Sequence, residues 1–231
     1  MMPSFKVIFF PFVLACIIAF SVPSFAMETG FITQAIDSQR QEDIIESRDL
    51  KVINHVSDNS QIVCFSVNPQ GSIAIGLENG SDRKEIAVYN MEGAFQYGYS
   101  FAIYGTYALE WDGDRIILAN CRGDSAEMYD RDGLCLEAGE IELNAENNLY
   151  WKKLFERTEM RCGGYTVKFD EKSQIMGHYT RLIAVSEDGT EKVIFDAGKF
   201  PIIRNTIFVL IFILVGITIA IVSVRHYKKQ K

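Results

Sequence analysis

Seven consecutive stretches decide the fold: Ile62-Val-Cys-Phe-Ser-Val67, Asn68-Pro-Gln-Gly71, Ser72-Ile-Ala-Ile-Gly-Leu77, Glu78-Asn-Gly-Ser-Asp-Arg83, Lys84-Glu-Ile-Ala-Val-Tyr-Asn90, Met91-Glu-Gly93 and Ala94-Phe-Gln-Tyr-Gly-Tyr-Ser100. Runs rich in Val, Ile, Tyr and Phe alternate here with segments of Gly, Asn, Asp and Pro. No stretch of period 3.6 intervenes, so the segment predicts four antiparallel strands in one meander.

The pattern recurs downstream. Tyr107–Trp111, the turn Asp112-Gly113, Arg115–Ala119, a loop, Ala126–Tyr129, the turn Asp130–Gly133 and Leu134–Glu137 repeat strand for strand, with Gly113 placed 42 residues after Gly71 and Gly133 placed 40 after Gly93. A third, less regular copy lies in Tyr165–Phe169 and Leu182–Phe195. A four-stranded unit recurring every 40 to 42 residues is the sequence form of one propeller blade, so the expected class is all-β, with propeller-like repeats of four-stranded antiparallel meanders.

Phe65-Ser-Val-Asn-Pro-Gln-Gly-Ser-Ile-Ala-Ile75 and Arg83-Lys-Glu-Ile-Ala-Val-Tyr-Asn-Met-Glu-Gly93 resemble the repeat of NHL-type β-propeller proteins. The likeness is best over residues 64–100 and fades through 107–138 and 165–196. It implies a surface that binds a ligand and carries over the role of no residue. Trp111-Asp112 does not extend it to WD repeats, because the pair precedes the first turn of its unit.

Outward from the repeats, the chain of 231 residues changes character at both ends. Val7 to Ala26 and Asn205 to Val224 contain no charge. The first run, preceded by Lys6 and closing on Ser24-Phe25-Ala26, reads as a signal peptide over 1–26. The second predicts a transmembrane helix over 204–224; its 19 uncharged residues from Thr206 to Val224 would cover about 28 Å. Arg225, Lys228, Lys229 and Lys231 then form a basic tail, 225–231, which the positive-inside rule assigns to the cytoplasm. Residues 27–203 become an extracytoplasmic β-repeat domain carrying 17 Lys and Arg against 30 Asp and Glu. Such an acid excess disfavours nucleic acid as a partner.

A domain of 177 residues holds about four such units, which would require residues 27–60 to supply a blade from Asp43–Ile45 and Leu50–Ile53. Asn144 to Arg157 breaks the repeat with a possible N-cap at Asn144 and apolar Leu149, Tyr150, Trp151, Leu154 and Phe155. Such an insertion belongs either to a binding face or to a lid over an open sheet edge.

Chemistry-bearing motifs are sparse. His55, His178 and His226 are the only histidines, and no zinc-ligand or nucleophile-elbow spacing occurs. Asp112-Gly-Asp114 and Asp130-Arg-Asp-Gly133 fit hairpin turns, not calcium loops. Phe95, Tyr97, Tyr99 and Phe101 alternate onto one sheet face, expected to pack on the next blade. Tyr104, Tyr107, Trp111 and Trp151 are the binding candidates, since each carries a polar handle on a flat apolar body. Cys64, Cys121, Cys135 and Cys162 are possible disulfide cysteines. The strand reading separates Cys121 from Cys135, leaving 64–121 with 135–162, 64–135 with 121–162, or four thiols.

The expected function is a membrane-anchored extracytoplasmic binding or interaction module for a protein, peptide or glycan, or a subunit of a membrane complex, without catalysis or cofactor. The alternative is a tethered propeller-type hydrolase or lactonase, which would bring acids and a metal together at a central channel.

Overall fold

The computed structural model describes residues 27–57, 60–175, 178–198, 207 and 209–219. The expected signal peptide and basic tail lie outside them. In chain order come β1 (Thr33–Ala35), α1 (Ser38–Arg48) and β2 (Lys51–Ile53), followed by three sheet units. The first unit is β3 (Gln61–Val67), β4 (Ile73–Glu78), β5 (Arg83–Tyr89) and β6 (Phe95–Ala102). The second is β7 (Tyr107–Asp112), β8 (Arg115–Asn120), β9 (Ser125–Tyr129) and β10 (Cys135–Ile141). After α2 (Ala145–Phe155), the third is built from β11 (Glu159–Cys162), β12 (Tyr165–Phe169), β15 (Arg181–Ser186) and β16 (Glu191–Asp196), with β13 (Gln174–Ile175) and β14 (His178–Tyr179) between its middle strands. Every unit is antiparallel with strands in chain order, so the all-β meander reading holds and is consistent with a propeller-like class.

The units stack in the order third, first, second. Ile73, Ile75 and Leu77 of β4 point into one cluster with Val167, Phe169, Leu182 and Ala184 of the third unit. Ala74 of the same strand, with Ile86, Val88, Tyr99 and Phe101, points the opposite way onto Tyr107, Leu109, Ile116 and Leu118 of the second unit. Because the first unit is covered on both faces, β4 reads as an unbroken apolar run without the polar alternation of a half-exposed strand.

The expected aromatic face on β6 is broken at one position. Tyr97, Tyr99 and Phe101 meet the second unit, but a bulge opposite Val88 and Tyr89 leaves Gln96 unpaired and turns Phe95 to the other face, edge-on to Tyr89.

Residues 27–60 do not form a fourth unit. β1 adds to β10 at the edge of the second sheet, and β2 adds to β6 at the edge of the first. Between them α1 is opened by Asp37, whose side chain accepts from the Arg40 N–H, and ended by Asp49 in the left-handed region at φ 41°. The irregular middle of the third repeat has a comparable explanation. The β13–β14 hairpin leaves its own sheet and pairs through Tyr179 with Ile62 of β3, covering that strand's free edge.

The Asn144 insertion is a helix, capped by Asn144 through the Asn147 N–H. It lies over the outer face of the second unit, where Trp151 and Leu154 join Met27, Phe31, Ile117, Met128 and Ile141. It therefore covers a sheet face, whereas an edge cover or a binding insertion was expected. Each large side chain buried there contributes about 1.5–3 kcal/mol.

Of the expected membrane span, residues 207 and 209–219 are described and helical. No helix among the described residues is long and apolar enough to cross a membrane.

Candidate functional site

Chain direction divides the stack into two ends. At one end, strands are joined by tight turns of common design. Asn68, Asn90 and Asp130 each accept two backbone N–H groups on a side-chain oxygen, and each closes its turn by accepting from the glycine three residues later, Gly71, Gly93 and Gly133. The other end carries the more varied connections β4–β5, β6–β7 and β8–β9.

A cleft of about 510 Å³ opens at this second end, lined by Arg48, Tyr104, Asn120, Arg122 and Gly123. Tyr104 comes from the β6–β7 connection, Asn120 ends β8, Arg122 and Gly123 form the β8–β9 turn, and Arg48 closes α1. It lies where the first and second units meet. Asn120 pairs across the strands with Ser125, and Leu118 with Glu127, on the face of the second sheet that packs against the first unit.

Beside the cleft is a buried polar network. Arg48 Nε donates to Glu127 Oε2 at 2.8 Å, and Nη2 donates to Glu127 Oε1 at 2.6 Å and to Ser125 Oγ at 3.2 Å. Glu127, 0% exposed, also accepts from Ser125 Oγ at 2.7 Å and from the Tyr129 hydroxyl at 3.0 Å. A desolvated carboxylate is tolerated because four donors saturate it. Burial, reinforced by Glu127, pushes the Tyr129 hydroxyl pKa far up, so Tyr129 remains a neutral donor.

The cleft itself is less satisfied. Asn120 is 5% exposed and its Oδ1 has no hydrogen-bond partner. Arg122 is exposed and forms no ion pair or hydrogen bond among the described residues. Tyr104 is 77% exposed. Glycine at 123 makes the close approach possible, since a Cβ there would fall 2.3 Å from Asn120 Nδ2. An unpaired guanidinium, an open aromatic face and an unspent amide together can receive a planar or polar group that carries negative charge.

Of the four aromatic candidates, only Tyr104 reaches this cleft. Tyr107 is a core residue, 1% exposed, its hydroxyl donating to the Leu77 and Glu85 carbonyls at 3.2 and 3.3 Å. Trp111 is half-buried, its indole N–H donating to the Ser66 carbonyl at 3.2 Å across the same unit boundary. Trp151 is buried under α2, stacked on Phe155 and tilted against Phe31. The structure does not bring these four together.

Cys64, Cys121, Cys135 and Cys162 are all free thiols. Cys64 and Cys135 border the cluster between the first and second units, Cys121 borders the one under α2, and Cys162 Sγ lies 3.2 Å from the Asn68 carbonyl. Burial raises the thiol pKa values of Cys64 and Cys135 to about 12. No group of three or more His, Cys, Asp or Glu able to hold a metal occurs among the described residues.

Sequence reasoning missed Arg48, Asn120 and Arg122. Arg122 was visible only as a charge in a loop of unremarkable length. Arg48 sits 79 residues from its carboxylate partner, with no local pattern linking the two.

The sequence matches no protein-family model. No curated protein matches it either. Among solved structures, a catalytically inactive virginiamycin B lyase from Staphylococcus aureus with quinupristin aligns at a TM-score of 0.28 and 11% identity, over 63% of this chain and 44% of that one. The chain thus spans less than half the length of that protein.

Proposed function

We propose that the chain is a membrane-anchored extracytoplasmic binding module without catalysis, a propeller-like repeat domain that presents the Tyr104–Arg122 cleft to an acidic protein, peptide or glycan ligand. The observation that carries this reading is Arg122. In a domain with 30 acids against 17 bases, an exposed guanidinium finds no partner among the described residues, and it stands beside an exposed tyrosine and a nearly buried amide with an unpartnered oxygen. A ligand carboxylate would meet Arg122, a flat group would lie on Tyr104, and an N–H or O–H would use Asn120. Anchorage by residues 204–224 rests on the uncharged run and the basic tail that follows it.

The test uses the full-length protein in detergent against arrays of peptides with free or amidated carboxyl termini and of neutral or acidic glycans. Binding by acidic members is expected, lowered at least tenfold by Arg122→Ala and by Tyr104→Ala with the circular dichroism spectrum unchanged. Binding indifferent to both substitutions, or confined to neutral members, would refute the cleft. Protease added to intact cells should separately leave a membrane-embedded C-terminal fragment. Recovery of the intact chain while a known surface protein is digested would refute the topology.

A further inference from the structure

Residues 27–35 are pinned to the second unit one after another. The Met27 nitrogen lies 2.8 Å from Glu137 Oε2, the Glu28 nitrogen 3.3 Å from Asp112 Oδ2, and Thr29 Oγ1 2.6 Å from Glu110 Oε2. Phe31 is gripped between Tyr150 and Trp151, and Ile32 exchanges hydrogen bonds with the Asn147 side chain at 2.9 Å in each direction. Thr33–Ala35 then joins the sheet as β1. Met27, the first residue of this series, is 8% exposed in the cluster under α2.

Three consecutive residues thus meet three carboxylates. Asp112 is neutralised by Arg115 at 2.9 Å, whereas neither Glu137 nor Glu110 forms an ion pair with a side chain of the described residues. A peptide N–H at Met27 offers Glu137 one hydrogen and no charge. An α-ammonium would offer three hydrogens and a full positive charge, the stronger charge-assisted form of the same bond.

We infer that processing between Ala26 and Met27 creates an α-ammonium that pairs with Glu137 and locks the first residues of the mature chain onto the second unit. Hydrolysis of the Ala26–Met27 peptide bond places the hydroxyl of water on the Ala26 carbonyl and leaves the proton on the Met27 nitrogen, which is protonated at neutral pH. The new N-terminus is then part of the fold, joining β1 and α2 in one cap. The inference rests on the secretory half of the proposed function and is independent of the ligand.

The test is the full-length chain expressed with its own leader and purified from membranes. N-terminal sequencing should begin at Met27, and α-amine-selective labelling across pH should give a midpoint above the ordinary range of about 7.7–8.0. Glu137→Gln should return the midpoint to that range and accelerate labelling at neutral pH several-fold. If this variant does not fold, the wild-type midpoint alone decides. A first residue other than Met27 would overturn the inference, and an uncleaved leader would overturn the secretory processing with it. A start at Met27 with an ordinary midpoint, or one that Glu137→Gln leaves unmoved, would overturn the ion pair while leaving processing intact.

Discussion

Arg48, the last residue of α1, grips Glu127 of β9 with two nitrogens at 2.8 and 2.6 Å, and neither side chain is more than 9% exposed. The pair ties a segment that precedes the repeats to the interior of the second one. Its position beside the cleft makes that wall dependent on it.

Removing one partner should be far worse than removing both. Arg48→Ala leaves Glu127 charged and dry, at an expected cost of about 3–5 kcal/mol in denaturant melts of the full-length protein. Replacing the two together with apolar residues of similar volume should recover most of that loss. A single substitution costing under about 1 kcal/mol would show that the pair is hydrated in solution.

The thiols give a second expectation. With burial holding Cys64 and Cys135 at about 12, both stay protonated at pH 8, and a thiol is a poor nucleophile. Iodoacetamide added to native protein at that pH should leave these two unmodified, and denaturation should make Cys64, Cys121, Cys135 and Cys162 all reactive. Mass spectrometry after each step reads the outcome. Cysteines that resist alkylation in denaturant until a reductant is added would point to the disulfides that the sequence left open.

Alkali should unfold the domain through its tyrosines. Burial raises the Tyr89 hydroxyl from 10 to about 12 and raises Tyr107 and Tyr129 as well. Above pH 10 the unfolded chain releases protons that the folded chain retains, so stability is intact below pH 10 and falls as pH rises toward 12 and beyond. Tyr89→Phe should flatten the fall by about 1–3 kcal/mol between pH 10 and 12. A slope unchanged by the substitution would exclude Tyr89 as a contributor.

Gly93 and Gly133 occupy matching turns of successive units at φ 74° and 82°. Valine at either should cost about 1–3 kcal/mol, because a β-branched side chain fits that region poorly. Their surroundings rank them. A Cβ at 93 would meet the Val193 carbonyl at 2.9 Å, which backbone pairing holds in place, while one at 133 would meet the movable end of Leu50 at 2.7 Å. Gly93→Val should therefore be the costlier in chemical melts; the reverse order would show that the third unit yields more readily than the β2 segment.

What the sequence determined alone is what neighbouring residues encode. Alternation, β-branched runs and Asn- or Asp-led turns closed by glycine place the strands of the first two units, because strand period and turn geometry depend on residues only a few positions apart. The uncharged ends and the acidic middle were legible in the same way. Only the tertiary structure decided the side on which each face packs. Both faces of the first unit are covered, so no polar face marks the outside, and Tyr107 and Trp151 look in sequence like binding aromatics although they are core. It also decided that residues 27–60 complete two existing sheets in place of building another, that the β13–β14 hairpin crosses to a neighbouring sheet, and that Arg48 meets Glu127 beside the cleft where Tyr104, Asn120 and Arg122 converge. Those contacts join residues dozens of positions apart, and such pairings leave no period in the chain, since their partners are chosen by which edges, faces and buried charges remain unsatisfied once the local elements have formed.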